Sequence, residues 1–400
     1  MKTTNKKNIL YLSYDGLLEP LGHSQILSYL ELLSKHYSIT ILSYEKKIDW
    51  VNFQNVYLVK KILSNCHINW IHLKYTSKPY IISTIWDIIK GVFYAILISK
   101  KKKIDLVHSR GDIPALIALL LKKIIKFKFL FDMRGFWADE RVDWGIWKKK
   151  NILYKLFIFL EKIFYDKADG IISLTNVGIK KIRNDFGIYK SNKIFSVIPT
   201  CTNLQLFYPN NNFCSDKIIL AHVGAVGTRY EFDKVLSFFI LINEIIPTQL
   251  LILNKGEHDL VKKKLDSFNI DKKKYQLLSC NYSEVSLHLQ NVSAGIFFSK
   301  KGSYLDGYFP TKLGEFLACG KPVITNLINN DVQEIISENK VGIIIENFTK
   351  SKLKYYAEKF VKLIKSDNIN YVCRATAEKN FSIEEGAIRY KDVYEKLLKL

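Results

Sequence analysis

Short apolar runs of strand length alternate with longer amphipathic runs along this 400-residue chain. Strands are expected at 9–15, 38–44, 68–73, 105–109, 128–133, 170–174 and 195–198 in the first half. In the second half they are expected at 218–223, 249–253, 275–278, 294–299, 322–325 and 341–345. Helical periodicity marks 23–35, 81–99, 113–124, 152–167 and 176–185, and helices fill the intervals of the second half. Such repetition implies parallel sheets with helices on both faces, because each parallel pair needs a crossover whose apolar stripe packs on the sheet. A stretch rich in Pro, Asn and Ser at 199–216 breaks the pattern and reads as a linker. The expected fold class is therefore α/β: two Rossmann-like, doubly wound domains, 1–200 and 201–381, whose strand C-termini face a central cleft. A last amphipathic helix, 382–400, shows a broad apolar face of Ile388, Val393, Tyr394 and Leu397. The residues leave open which domain it packs on.

Hydrophobic residues make up 48% and charged residues 24%, the balance of a globular chain and not a disordered one. Six cysteines (Cys66, Cys201, Cys214, Cys280, Cys319, Cys373) are scattered without a Cys-x-x-Cys pair. That favours reduced thiols over disulfides or a zinc site. The first apolar run is only strand-long and then turns polar, so no signal-peptide core is read there, and a cytoplasmic location is expected. No Asp-x-Asp motif and no His/Cys/Asp cluster with ligand spacing occurs, so no metal and no cofactor is expected.

The net charge of +22 is lopsided: residues 1–200 carry +17 and residues 201–400 carry +5. A basic half interleaved with aromatics suits an anionic partner. Two segments, 80–103 and 144–164, read as basic amphipathic helices fit to lie on a membrane surface, or equally as core helices with solvated ends. The first has the length of a span but carries Asp87 and Lys90 at its middle, where ionisable groups are costly in lipid. No basic motif of a known nucleic-acid reader is present, so no nucleic-acid partner is expected.

The residues richest in chemistry lie at 308–325, where a strand, a loop, a short helix and another strand follow in order. Pro310 and Thr311 open that helix and Gly320 stops it. Lys312 and Glu315, three apart, share one face near a helix start expected to be exposed. Such a face can hold a phosphate and a hydroxyl-rich ligand. Upstream, Gly224 and Gly227 follow a strand as a loop that fits a phosphate. In the first half, a strand runs into a dense charge cluster from Asp132 to Asp143, in which Arg134 offers a planar donor to a phosphate. His108 and Arg110 end another strand. Gly22 sits before a helix start near His23.

The series Pro310, Lys312, Glu315, Ala318, Gly320, Pro322, Val323, Ile324 resembles the donor-site motif of family 4 retaining glycosyltransferases, which have the GT-B fold. The Phe131-Asp132-Met133-Arg134-Gly135-Phe136-Trp137 segment resembles enzymes of that family from bacterial polysaccharide clusters. The resemblance implies that Glu315 binds the ribose of a nucleotide sugar. It implies that Arg229, Lys234 and Lys312 neutralise the donor diphosphate, helped by Gly224, Gly227, Thr311 and the backbone around Ser303 and Gly307. It places Gly22, Asp132 and Arg134 on the acceptor side, and Arg134, His108 and Lys312 at the reacting centre. The family usually has a second glutamate eight residues before Glu315; here that position is Gly307, with Asp306 offset by one. The implied activity is sugar transfer with retention, onto a lipid-linked glycan at an anionic inner membrane surface, in surface-polysaccharide synthesis. The implied packing of the last helix is back onto the N-terminal domain. A nucleotide-sugar epimerase of the same fold, a basic nucleic-acid binder and a membrane scaffold are the alternatives.

Overall fold

The computed structural model describes residues 6–189, 193–210, 212 and 215–400; Cys214 and the linker positions 211 and 213 lie outside them. The chain forms two compact units. Unit 1 comprises Met1–Pro199, Asp306–Tyr308 and Ile383–Leu400; unit 2 comprises Thr200–Leu305 and Phe309–Ser382.

Unit 1 is built on seven parallel strands: β1 (Asn8–Ser13), β2 (Ser38–Glu45), β3 (Asn69–Lys74), β4 (Leu106–Arg110), β5 (Lys128–Asp132), β6 (Gly170–Ser173) and β7 (Ile194–Val197). Their order is β3-β2-β1-β4-β5-β6-β7, so the direction of winding reverses between β1 and β4. The central strands are buried on both faces, which is why they read as continuous apolar runs. Right-handed crossovers put the helices after β3, β4 and β5 on one face. These are Tyr80–Lys101, Asp112–Leu121 and Ile152–Lys167, with the middle one packed against both others. The helix Ile383–Leu398 packs on Ser28–Leu33 and on β7. Its inward face is Ile383, Ala387, Tyr390, Val393, Tyr394 and Leu397; Ile388, expected inside, is 58% exposed.

Unit 2 has six parallel strands: β8 (Ile218–Val223), β9 (Thr248–Leu253), β10 (Tyr275–Leu278), β11 (Ala294–Ile296), β12 (Val323–Asn326) and β13 (Gly342–Ile345). Their order is β10-β9-β8-β11-β12-β13, with the reversal between β8 and β11. β11 stops at Ile296, short of the expected 299, although Phe297 and Phe298 remain fully buried. Burial alone cannot tell a paired residue from one leaving the ladder. The helix Thr311–Ala318 is buried from Lys312 onward and ends before Gly320, whose φ of +73° suits only glycine without strain.

Three elements escaped the periodicity. The helix Phe53–Asn65 buries only Val56, Val59 and Leu63 while exposing Phe53, Tyr57 and Leu58, which blurs its apolar stripe. The dense charge cluster after β5 contains the helix Trp137–Asp143, about two turns in which four charged side chains hide the helical period. Residues His23–Leu27 form a π-turn in which Ser28 Oγ donates to His23 O at 3.0 Å. Gly22 therefore lies inside a helical run, not before one. A Cβ there would stand 1.9 Å from Gly16 O, so the glycine permits a close approach of the chain to itself.

Candidate functional site

In unit 2 the strand ends at the reversal point bring a glycine turn and a buried ammonium together. After β8, Gly224 adopts φ +100° and donates its N–H to Leu253 O at 2.8 Å. The loop beyond it is held by Glu257, whose carboxylate accepts from Val226 N at 2.7 Å, Gly227 N at 3.1 Å and Asn254 Nδ2 at 3.0 Å. Lys312 reaches this loop from the helix Thr311–Ala318. Its Nζ lies 3.5 Å from the Tyr230 ring centroid, and a Cβ on Gly224 would sit 3.4 Å from it. Lys312 is 7% exposed and its Nζ makes no hydrogen bond among the described residues. A buried ammonium that faces aromatic rings and makes no hydrogen bond is under-satisfied, and a phosphate oxygen would satisfy it.

Burial pushes Lys312 down to about 7, assisted by Arg229 and opposed by Glu315. Burial pushes Glu315 up to about 7 against the pull of the Tyr282 hydroxyl and Lys312. His222, beneath them, is brought to about 3 first by burial and then by Lys312; its ring nitrogens face Ile296 O at 3.1 Å and Ala225 O at 3.4 Å. The site thus holds one neutral imidazole, one ammonium poised to lose its proton near neutrality and one carboxyl poised to gain one. An arriving anion favours protonated Lys312, so binding above pH 7 takes up a proton. Affinity for such an anion is therefore expected to fall with rising pH between about 7 and 9, by up to about tenfold per unit. Calorimetry in buffers of different ionisation enthalpy checks this; a flat profile with no proton uptake would contradict it.

In unit 1 a second polar cluster sits at the ends of β4 and β5. Asp132 is fully buried; its Oδ2 accepts from Tyr390 Oη at 2.8 Å and faces His108 Nε2 at 3.3 Å. Arg134 Nη1 lies 3.6 Å from its Oδ1 and Arg110 Nη1 3.9 Å from its Oδ2. Burial would raise the Asp132 carboxyl, but Arg134, His108 and Arg110 together hold it at about 2. His108 Nδ1 pairs with Tyr394 Oη at 2.7 Å, and burial lowers its basicity. Tyr390 and Tyr394 come from the last helix, so this network fastens that helix to the sheet.

The expected site residues divide accordingly. Lys312, Glu315, Gly224 and Arg229 come together in unit 2, with Thr311 opening the helix that carries the first two. Lys312 and Glu315 are buried, not presented at an exposed helix start. The Gly227 amide is already bound to Glu257 and is not free for a phosphate. Lys234 is paired with Glu231 and lies over the Phe348 ring at 4.4 Å, so its charge is committed there. Ser303 falls in unit 2 and Gly307 in unit 1, where a Cβ on Gly307 would meet the Phe136 ring at 2.9 Å. Asp306 pairs with Lys181 at 3.3 Å. In unit 1, Asp132 and Arg134 lie in one network. His108 is 1% exposed with both ring nitrogens engaged, which removes it from contact with a ligand. Glu257 and Tyr282 were not singled out by sequence. Glu257 lies 30 residues from Gly227, and only the pairing of β9 beside β8 brings them together.

Residues 207–379 match the family model described as Glycosyl transferases group 1. No curated protein sequence matches the chain. Among solved structures, sucrose-phosphate synthase from Thermosynechococcus elongatus is similar with a TM-score of 0.74 at 15% identity, covering 98% of this chain and 100% of that one. A glycosyltransferase from Rickettsia africae gives 0.72 at 20% identity, covering 99% of each. Anabaena HepE in complex with UDP and glucose gives 0.67 at 13% identity, covering 98% of this chain and 100% of that one. The stretch that holds Lys312 and Glu315 thus lies inside the match to Glycosyl transferases group 1, and the two parallel sheets have the layout of GT-B glycosyltransferases.

Proposed function

We propose that the protein transfers a sugar from a nucleoside-diphosphate sugar to an acceptor hydroxyl, with retention of configuration, as a family 4 enzyme. The observation that carries this reading is the buried Lys312 ammonium, unsatisfied beside the Gly224 turn and three residues before a buried Glu315. In this reading Lys312 and Arg229 neutralise the donor diphosphate and Glu315 accepts from the ribose hydroxyls. As the bond from the sugar C1 to the diphosphate oxygen breaks, negative charge grows on that oxygen, and a fixed ammonium in a dry site stabilises it strongly. The acceptor hydroxyl attacks C1 from the face the leaving group vacates, and its proton passes to the departing diphosphate oxygen. No enzyme nucleophile, resident cofactor or metal is part of the scheme. Arg134, 18% exposed at the end of β5, is assigned to the acceptor side.

We further place the enzyme on the inner face of a membrane, acting on a lipid-linked glycan in surface-polysaccharide synthesis. The free thiols of Cys66, Cys201, Cys280, Cys319 and Cys373 fit a reducing compartment.

A thermal-shift panel of UDP, GDP, ADP, CDP and TDP with their sugar conjugates tests the donor reading. A ligand at a hundred times its Kd adds about 2.7 kcal/mol to the native state. One nucleotide series is expected to raise the Tm of the wild type, and Glu315→Ala to abolish the rise. No shift from any of them at millimolar concentration would refute it.

A further inference from the structure

The helices Tyr80–Lys101 and Ile152–Lys167 flank Asp112–Leu121 on the same face of the unit 1 sheet. Each turns an apolar stripe outward. On the first the stripe is Ile81, Ile82, Ile85, Trp86, Ile89 and Phe93, each more than half exposed; on the second it is Ile152, Leu156 and Phe159. These positions recur at spacings of three and four, as one face of a helix requires. Lysines rim both stripes: the runs 100–103 and 148–150 are exposed, as are Lys155 and Lys162. The only acids in segments 80–103 and 144–164 are Asp87 and Glu161, and both are buried. The face therefore shows apolar and cationic groups and no carboxylate from these two segments. An ordinary solvated helix mixes both signs of charge.

Asp87 explains how so apolar a helix stays with its unit. Its carboxylate accepts from Tyr14 Oη at 3.0 Å, Thr76 N at 3.0 Å and Thr76 Oγ1 at 2.9 Å, and pairs with Lys90 at 2.7 Å. Ser83, Asp87, Gly91, Ala95 and Ile98 form the inward row. With 22 residues the helix is long enough, at about 33 Å, to cross a bilayer. Crossing would tear out the Asp87 cluster and strand a carboxylate in lipid.

From this we infer that the face formed by these two helices is a docking surface for an anionic bilayer, on which both helices lie in the plane of the interface. The apolar rows enter the headgroup boundary, and the lysine runs pair with acidic headgroups. Charge complementarity selects this occupant: a second copy would bring the same lysines against themselves. The inference supplies the partner for the lipid-linked acceptor of the proposed function and rests on that reading only for its purpose; the binding itself is measured without donor or acceptor.

The test is flotation of the full chain with vesicles of phosphatidylcholine alone and of phosphatidylcholine with about one-third phosphatidylglycerol. The wild type is expected to float with the second and not the first, and salt is expected to weaken binding. Ile85→Ser with Ile89→Ser, and separately Lys100→Gln through Lys103→Gln, should each lower the partition coefficient by about tenfold or more. Both variants should keep the wild-type circular dichroism and nucleotide-induced Tm rise, which separates lost docking from lost folding. The inference is overturned if the wild type stays in solution with anionic vesicles at low salt, or if both variants float like the wild type. It is equally overturned if light scattering shows a stable dimer that the Ile85/Ile89 variant dissociates, since a second copy then covers the face. If vesicles bind but no nucleotide does, the docking surface stands and the sugar-transfer reading fails.

Discussion

Replacing Lys312 with methionine is expected to raise the Tm while lowering kcat/KM by about 100- to 1,000-fold. The two effects share one cause. The Lys312 stem is buried against Tyr230, and its ammonium finds no hydrogen-bond acceptor among the described residues, so the folded state carries a desolvated charge. Methionine keeps the length and volume of the stem and removes the charge. Lys312 holds its proton less tightly folded than unfolded, with a folded value of about 7 against 10.5. The unfolded chain thus binds more protons between these values, so this residue's contribution makes stability rise as pH increases from about 7 to 10.5. In Lys312→Met that rise should vanish. Catalysis loses the cation that faces the departing diphosphate, and removing one such preorganised partner costs on the order of 100- to 1,000-fold. Calorimetric Tm across pH and steady-state kinetics with the donor found in the nucleotide panel check both halves. A variant that is less stable, or that turns over like the wild type, would remove Lys312 from this role.

Asp132→Ala is expected to destabilise unit 1 by about 3–5 kcal/mol, the usual cost of leaving buried charges uncompensated. Arg110 is buried, with Nε and Nη1 lacking hydrogen-bond partners; its Nε lies 3.7 Å from the exposed Asp15, and Asp132 is the buried carboxylate that it shares with Arg134. Asp132→Asn keeps the shape and an acceptor for Tyr390 but loses the charge, so its loss should be smaller. Tyr390→Phe should cost about 1.5–3 kcal/mol, since it deletes one hydrogen bond to a charged group. The Asp132 carboxyl is depressed from 3.8 to about 2 in the folded protein. Its stabilisation is therefore complete above 3.8 and lost as pH falls through about 2. Urea midpoints and hydrogen exchange across residues 383–398 read these effects. Exchange in that helix as slow in Asp132→Ala as in the wild type would show that the network does not fasten it.

The strands of both sheets were legible because parallel strands buried on two faces need unbroken apolar runs. The helix Phe53–Asn65 was not, because its exposed Phe53 and Tyr57 mimic core positions. Lys312 and Glu315 could be paired from their spacing, since residues three apart share a helix face. Their burial could not, because it comes from the helix Ile369–Phe381 packing on theirs and from Tyr230 lying over the ammonium. Lys234 shows a local partner that spacing alone does not reveal. Its spacing from Arg229 suggests a second phosphate contact, and in the folded chain it pairs with Glu231 one turn away. His108 carries the plainest lesson: the two hydroxyls that shape its surroundings, Tyr390 and Tyr394, lie nearly three hundred residues downstream, beyond the reach of any local pattern.

That separation also governs when unit 1 is finished during synthesis. Tyr390 and Asp132 are 258 residues apart, and Tyr394 and His108 are 286 apart. At roughly 5–20 residues per second, tens of seconds pass between the translation of Asp132 and of its tyrosine. Through that interval the strand ends of β4 and β5 hold two arginines around the buried Asp132 carboxylate, with Asp15 beside Arg110 and the phenolic donors still missing. The N-terminal sheet is thus a nascent structure with an unfilled polar seam, completed only after all of unit 2 has emerged. Ribosome-bound chains halted before residue 383 should accordingly expose this seam to proteases and chaperones, and release of the last helix should close it.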